Sequence, residues 1–312
     1  FGQHIKSIIE NHTYNLGGII FMASQGTKGF DPKFLGNDFE IPFPRLTGTT
    51  SEDSLNNGEI FNFVHFSLTI NKKLKFAIYG ANNIDQDKMK EVPRVDFHFA
   101  PNIDIEYQVG NELYRNNPWD RGHIVRRRDV CWGSMEEAKQ GNYDSFSWAN
   151  ISLQHHIFNT GPWNDLEDWI LEHPTHVNKK LSVFTGPINA NSDREYCGVG
   201  KPLGCGIKIP AAFWKVVFYI GADNKLGSAA FIMKQDEFWN DEHVNHLTSL
   251  ETYQVPLNTI SQLTGIEFKD SLYDTNPLIF SPNIVTESEN IRTPEARIIR
   301  DASDITLKSN SK

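Results

Sequence analysis

Asp120-Arg121-Gly122-His123, with Asn159 and Glu167 downstream, supplies a base, a cation, a metal-ligating amide and a carboxylate within one stretch of chain. Those are the parts that single-metal cleavage of a phosphodiester needs. Such a reaction requires deprotonation of a water, charge balance at a phosphorane-like transition state and stabilisation of a leaving 3′ oxygen. Histidine suits the first task because its unperturbed pKa lies near working pH. Arginine suits the second, since its fork of donors matches two phosphate oxygens. A hard cation held by oxygen ligands suits the third.

These residues need elements to hold them. Trp119 to Val125 reads as a short strand or strand end. Period-2 geometry then puts Arg121 and His123 on one face, and Gly122 permits close approach or a sharp turn. The ordinary alternative is an Asp120–Arg121 pair in a surface turn, with His123 a satisfied half-buried histidine. Further on, Thr160-Gly161-Pro162-Trp163 opens a helix, with Pro162 in its first turn and Asn159 or Thr160 as the cap. Trp163, Leu166 and Ile170 mark its buried stripe. On helical spacing Asn159 and Glu167 share one side, where the amide would hold a hydrated Mg²⁺ directly and the carboxylate through water. The ordinary alternative there is an N-cap asparagine and a solvated glutamate.

The tetrapeptide, then Asn150-Ile151-Ser152-Leu153-Gln154, then Asn159 and Gly161 with Trp163, Leu166 and Glu167, resembles the DNA/RNA non-specific endonuclease family. That family belongs to the ββα-metal superfamily, of the Serratia nuclease and endonuclease G type. Further matches follow in order: Val183-Phe184-Thr185-Gly186-Pro187, Ile209-Pro210, Phe213-Trp214-Lys215-Val216, Ala229-Ala230-Phe231 with Gln235, and Leu263-Thr264-Gly265 with Phe268. The resemblance implies His123 as the general base and Asn159 as the direct ligand of Mg²⁺, with Mn²⁺ as a substitute. It gives Glu167 the metal's water cluster, Arg121 the transition state, and Asn150 the positioning of the catalytic groups. Asp120 would support the loop more than the chemistry. DNA and RNA are the implied substrates, cut to 5′-phosphate ends. Two departures stand out. The family's upstream phosphate-contacting arginine has no assigned counterpart, for the comparable region reads Asn71-Lys72-Lys73-Leu74-Lys75 and Arg94 lies further on. Leu171 stands where some members carry another arginine.

The formal net charge of −9 argues against binding nucleic acid by bulk attraction. Locally, Arg115, Arg121, Arg126, Arg127 and Arg128 gather around the candidate site, which predicts a basic, substrate-binding cleft on an acidic body. The alternative for Arg126-Arg127-Arg128 is a solvated run at a strand end. Of the three cysteines, Cys197 and Cys205 bracket a Gly/Pro-rich loop and could pair, leaving Cys131 beside Trp132. No apolar run reaches transmembrane length, and Leu16 to Ala23 is far too short, so no membrane partner is expected. The chain begins with Phe1, as after removal of a leader or tag. Localisation is unreadable beyond a lean to export, because an unrestrained nuclease endangers its own cell. A protein inhibitor or activator and a homodimer are compatible with the sequence.

Val64, Phe66, Leu68 and Ile70 alternate with polar residues as a half-buried strand, and Lys75 to Gly80 returns antiparallel. Leu181 to Ile188 is a third strand. Phe213 to Gly221 and Ser228 to Lys234 form a hairpin around Asp223-Asn224-Lys225. Asn258 caps a short helix that ends near Gly265. The pattern predicts an α+β fold, a central antiparallel sheet flanked by helices and carrying a ββα-metal element. It divides the chain into an N-terminal extension packing on the core (1–57), the endonuclease domain (58–280) and a loosely attached polar tail (281–312). Three other functions compete. His155-His156 and His173-x-x-His176 could suggest zinc, but Pro174 disrupts the second pair and no zinc signature is present. A silenced nucleic-acid-binding protein would show an altered base or ligand. A toxin or defence effector would keep them all.

Overall fold

The computed structural model describes residues 14–16, 19–21, 29–172, 179–235, 247–278 and 296–307. Short runs rich in β-branched and aromatic residues form β1 (Phe61–Phe63), β2 (Phe66–Asn71) and β3 (Phe76–Asp85). The chain then lays down the strand β4 (Trp119–His123), the helix α1 (Met135–Ser145) and the strand β5 (Ile151–His155). Two helices follow, α2 (His156–Thr160) and α3 (Pro162–Glu172). The long strands β6 (Lys180–Ile188), β7 (Ala212–Ile220) and β8 (Leu226–Lys234) come next. Last are β9 (Thr252–Val255), α4 (Leu257–Thr264) and β10 (Arg297–Ile299).

Eight of these strands make one sheet in the order β10-β9-β8-β7-β6-β3-β2-β1. Every neighbouring pair is antiparallel. The β7–β8 hairpin turns at the expected residues, with Asn224 at φ 58° and Gly221 N–H donating to Lys225 O at 2.9 Å. β4 and β5 form a separate two-stranded ribbon. The α+β architecture with a central antiparallel sheet is thus the observed one.

Apolar layers cover both faces of the sheet. On one, Trp163, Leu166 and Ile170 of α3 join Phe66, Leu68, Phe213 and Phe231. On the other, Phe30, Ile41, Ile260 and Phe268 cluster with Phe184, Trp214 and Phe218. This two-sided cover corrects the reading of β2 as half-buried: all six of its residues are buried, and Val64 lies in the preceding turn. Among its polar members, Ser67 bonds internally. Ser67 Oγ donates to Asn62 Oδ1 (2.7 Å) and accepts from Phe30 N–H (2.9 Å).

Three local expectations change. Pro256, not Asn258, occupies the N-cap position of α4, and Gly265 at φ 66° ends that helix. Neither Asn159 nor Thr160 caps α3, because both belong to the separate helix α2. Residues 296–307 of the polar C-terminal segment are attached to the sheet. β10 pairs with β9, and Gln254 bonds both the N–H and the carbonyl of Thr306 (2.8 and 2.7 Å). Residues 29–46 lie against the sheet through Phe30 and Ile41, and Arg45–Leu46 pairs with Ile266–Glu267. Among the described residues, no helix is long and apolar enough to cross a membrane.

Candidate active site

The β4–β5 ribbon runs in register from Trp119↔His155 to His123↔Ile151. Gly122 makes its packing feasible, since a Cβ there would lie 2.2 Å from Cδ and Oε1 of Gln154. Just beyond, fully buried Asn150 clamps the chain. Its Oδ1 accepts from Val125 N–H (2.9 Å), while Nδ2 donates to Val125 O (2.9 Å) and Ser145 O (3.0 Å). The Ile124 N–H donates to its backbone carbonyl (2.8 Å). Asn150 thereby fixes the backbone that leaves His123.

The His123 ring packs edge-on against Phe146 (centroids 5.2 Å) and tilted against Phe97 (6.0 Å). Its Nε2 is buried and has no hydrogen-bond partner. Burial pushes its pKa down to about 3, and the Arg94 and Arg127 guanidiniums push in the same direction. The imidazole is therefore neutral at ordinary pH, with one nitrogen uncommitted. Arg121 shares this face, as strand alternation requires. Its Cζ stands over the rings of Phe97 (5.6 Å) and Tyr114 (5.8 Å), and its Nε donates to Asn111 Oδ1 (3.0 Å). Nη2 donates to the same oxygen, which leaves Nη1 outside the pairing. Arg94 lies over Phe146 (5.0 Å), and Arg127 Nη1 donates to Val92 O (2.8 Å).

A second group forms behind β4. Asp120 Oδ2 accepts from Asn159 Nδ2 (2.9 Å) and from His156 Nδ1 (3.0 Å). With Nδ2 tied down, the Asn159 amide presents Oδ1 as its open donor atom for a cation. That oxygen is a hard donor, so it fits Mg²⁺ or Mn²⁺.

Glu167 sits in a third group, buried rather than solvated. Its Oε1 meets Lys215 Nζ at 3.1 Å and its Oε2 meets Arg126 Nε at 3.3 Å. Lys215 is itself buried and lies 5.2 Å from the centroid of the buried Trp163 ring. Asp129, also buried here, has its pKa raised to about 6 by burial, against the pull of Arg126 and Lys215. A carboxylate oxygen has two acceptor sites, so each Glu167 oxygen keeps one beyond its cation.

The arginine run divides accordingly. Arg126 is removed from the predicted substrate cleft, for it is 8% exposed and also pairs with Asp168 at 2.6 Å. Arg128 is exposed but holds Asp168 (2.9 Å) from outside. Only Arg127 of the three faces His123. Arg115 is exposed ahead of β4, its carbonyl bonded by Asn117 Nδ2 (3.0 Å). Arg94, Asn111 and Lys215 were not assigned roles by the sequence. Arg94 and Asn111 come from the irregular segment before β4, where no periodicity gives a signal. Lys215 carried one: a lysine in the middle of an apolar strand needs a buried anion.

The zinc alternative finds no support. His155 accepts from Ile157 N–H (3.4 Å) while His156 bonds Asp120, so the two rings serve different partners. His173 and His176 lie outside the described residues. Among the described residues, the one cluster of three potential ligands includes Cys197 and Cys205, which form a disulfide, as their spacing allowed. Cys131 is buried and free.

Comparisons with known proteins place the chain in a family. The family profile described as DNA/RNA non-specific endonuclease matches residues 48–275. An uncharacterised protein, y4fB, of Sinorhizobium fredii is 33% identical over 272 residues, 79% of this chain. The match spans only 40% of that relative's length. Nuclease C1 of Cunninghamella echinulata is 26% identical, covering 66% of this chain and 81% of its own. The human mitochondrial nuclease EXOG is 23% identical, covering 84% and 70%. A chain in the crystal structure of the EndoG/EndoGI complex superposes with a TM-score of 0.52 at 20% identity, covering 69% of this chain and 86% of its own. The chain belongs to the DNA/RNA non-specific endonuclease family.

Proposed function

We propose that this protein is a metal-dependent, sugar-non-specific endonuclease that hydrolyses DNA and RNA to 5′-phosphate ends. The observation that carries the proposal is His123, a neutral imidazole whose buried Nε2 has no protein partner, set among Arg94, Arg121 and Arg127. A neutral ring with an uncommitted nitrogen can take a proton from water. A base with a pKa near 3 is weak, but an arriving phosphate changes its surroundings. The phosphate's charge offsets Arg94 and Arg127, which raises the affinity of the imidazole for a proton as the substrate binds. Arg121, its fork held by Asn111, directs the remaining Nη1 to a phosphate oxygen.

Asn159 Oδ1 would hold Mg²⁺, or Mn²⁺ in its place, with Glu167 acting through water. Such an ion supplies Lewis-acid stabilisation for the leaving 3′ oxygen. All of these groups address phosphate rather than base edges, which accounts for acceptance of both nucleic acids.

The test is digestion of closed circular plasmid and of an RNA by purified protein, with Mg²⁺ or with EDTA. Loss of both substrates in Mg²⁺ alone is the expected result. No cleavage of either would favour a silenced binding protein on this fold. The EndoG/EndoGI structure concerns inhibition of EndoG. By analogy a protein inhibitor is proposed here too, to be sought as a co-purifying chain that suppresses cleavage.

A further inference from the structure

We propose that His156 is a positioning residue for the metal-ligating amide, holding Asp120 so that Asn159 can turn only its Oδ1 toward the cation. This rests on the reading of Asn159 as the direct ligand, and it gives a task to a histidine that the nuclease chemistry leaves unused.

One carboxylate oxygen joins the three residues. Asp120 Oδ2 accepts from His156 Nδ1 at 3.0 Å and from Asn159 Nδ2 at 2.9 Å. The donor and acceptor ends of an asparagine amide lie on opposite sides of Cγ, so fixing one end orients the other. If the amide flipped, Oδ1 would face Asp120 Oδ2, two acceptors with no proton between them. The lock is only as firm as Asp120. That side chain is 30% exposed, and with Asn159 alone for a partner it could swing toward water. The second donor, approaching from α2, closes off that motion.

Local geometry supports the assignment. His156 and Asn159 are carried by the same short helix, so the contact is built in one rigid unit. Thr160 Oγ1 donates to His156 O (2.8 Å) and Gly161 N–H to Ile157 O (3.1 Å), which closes that turn. Its neighbour His155 is otherwise engaged, at the edge of Trp119 (centroids 5.7 Å). His156 is 64% exposed, too open for a packing role. Beside a carboxylate oxygen, which only accepts, Nδ1 is the donor of the pair. Partners that orient a ligand in this way commonly change metal affinity by about 10- to 100-fold when removed.

The experiment measures Mn²⁺ binding by calorimetry on the full chain without nucleic acid. It compares the unaltered protein with Asn159→Ala, His156→Ala and His156→Asn, each checked by circular dichroism and thermal unfolding. Asparagine places Nδ2 where Nδ1 was. The expected result is loss of the main Mn²⁺ site in Asn159→Ala, and a Kd raised by about tenfold in His156→Ala, near the lower bound of that range because the contact is partly exposed. In His156→Asn the Kd should return to near its original value. An unchanged Kd in His156→Ala, with binding lost in Asn159→Ala, overturns the proposal while sparing the ligand assignment. Equal weakening in His156→Ala and His156→Asn also overturns it, because the ring rather than the donor would then matter. Unchanged binding in Asn159→Ala overturns the ligand assignment itself.

Discussion

Replacing His123 by glutamine should flatten the protein's loss of stability in mild acid. In the folded protein His123 titrates near 3, against 6.5 for an unperturbed histidine. Between those values the unfolded chain binds the extra proton and the folded one does not. Stability therefore rises with pH across this window and is lost as pH falls through it. At about 1.4 kcal/mol per pH unit well inside the window, the share due to His123 amounts to about 2 kcal/mol between pH 7 and pH 5. Glutamine keeps a polar side chain but does not titrate. Other perturbed groups, such as His98 (pushed down to about 4 by burial), remain in both proteins and cancel. Urea unfolding of both proteins at pH 7 and pH 5 gives the comparison. The double difference should be about 2 kcal/mol, with the variant losing less. Equal losses would refute the claim that the fold holds His123 neutral, and with it the account of how substrate awakens the base.

Other perturbations test the surrounding parts. Asn159→Ala should lose metal affinity before anything else, so a titration of cleavage rate against Mg²⁺ should shift to higher concentration and recover part of the rate. Lys215→Met leaves Glu167 buried with one cation fewer, and should destabilise the fold by about 3 kcal/mol in thermal or urea unfolding. Gly122→Ala drives a Cβ to within 2.2 Å of the Gln154 side chain. It should cost about 1–3 kcal/mol in the same assay and lower activity through displacement of β4.

The candidate tetrapeptide and the Asn159–Glu167 segment were legible because each is local. Strand alternation places Arg121 beside His123, and both indeed meet Phe97. The long hairpin and the third strand were legible as apolar runs bounded by turn residues. What could not be read depended on tertiary contacts. Val64 to Ile70 alternates in sequence, yet residues 29–46 lie over Ser67, where Phe30 N–H donates to its Oγ, so that this polar position is buried as well. Asn159 and Glu167 look like one helical face, but Gly161 separates two helices, giving Asn159 to Asp120 and Glu167 to Lys215. The arginine run read as a basic cleft. Which of its members faced inward depended on Glu167 and Asp168, which lie on α3. Arg94 reaches His123 by a path through irregular chain that carries no periodic signal.

His123 is proposed to accept the proton from water. Single-turnover nicking of closed circular plasmid, in saturating Mg²⁺, should be compared between the intact protein and His123→Ala, with DNA and Mn²⁺ affinities measured alongside. The rate should fall by about 10²- to 10⁴-fold, with both affinities little changed and part of the rate restored by added imidazole. A variant that nicks at the original rate would contradict it.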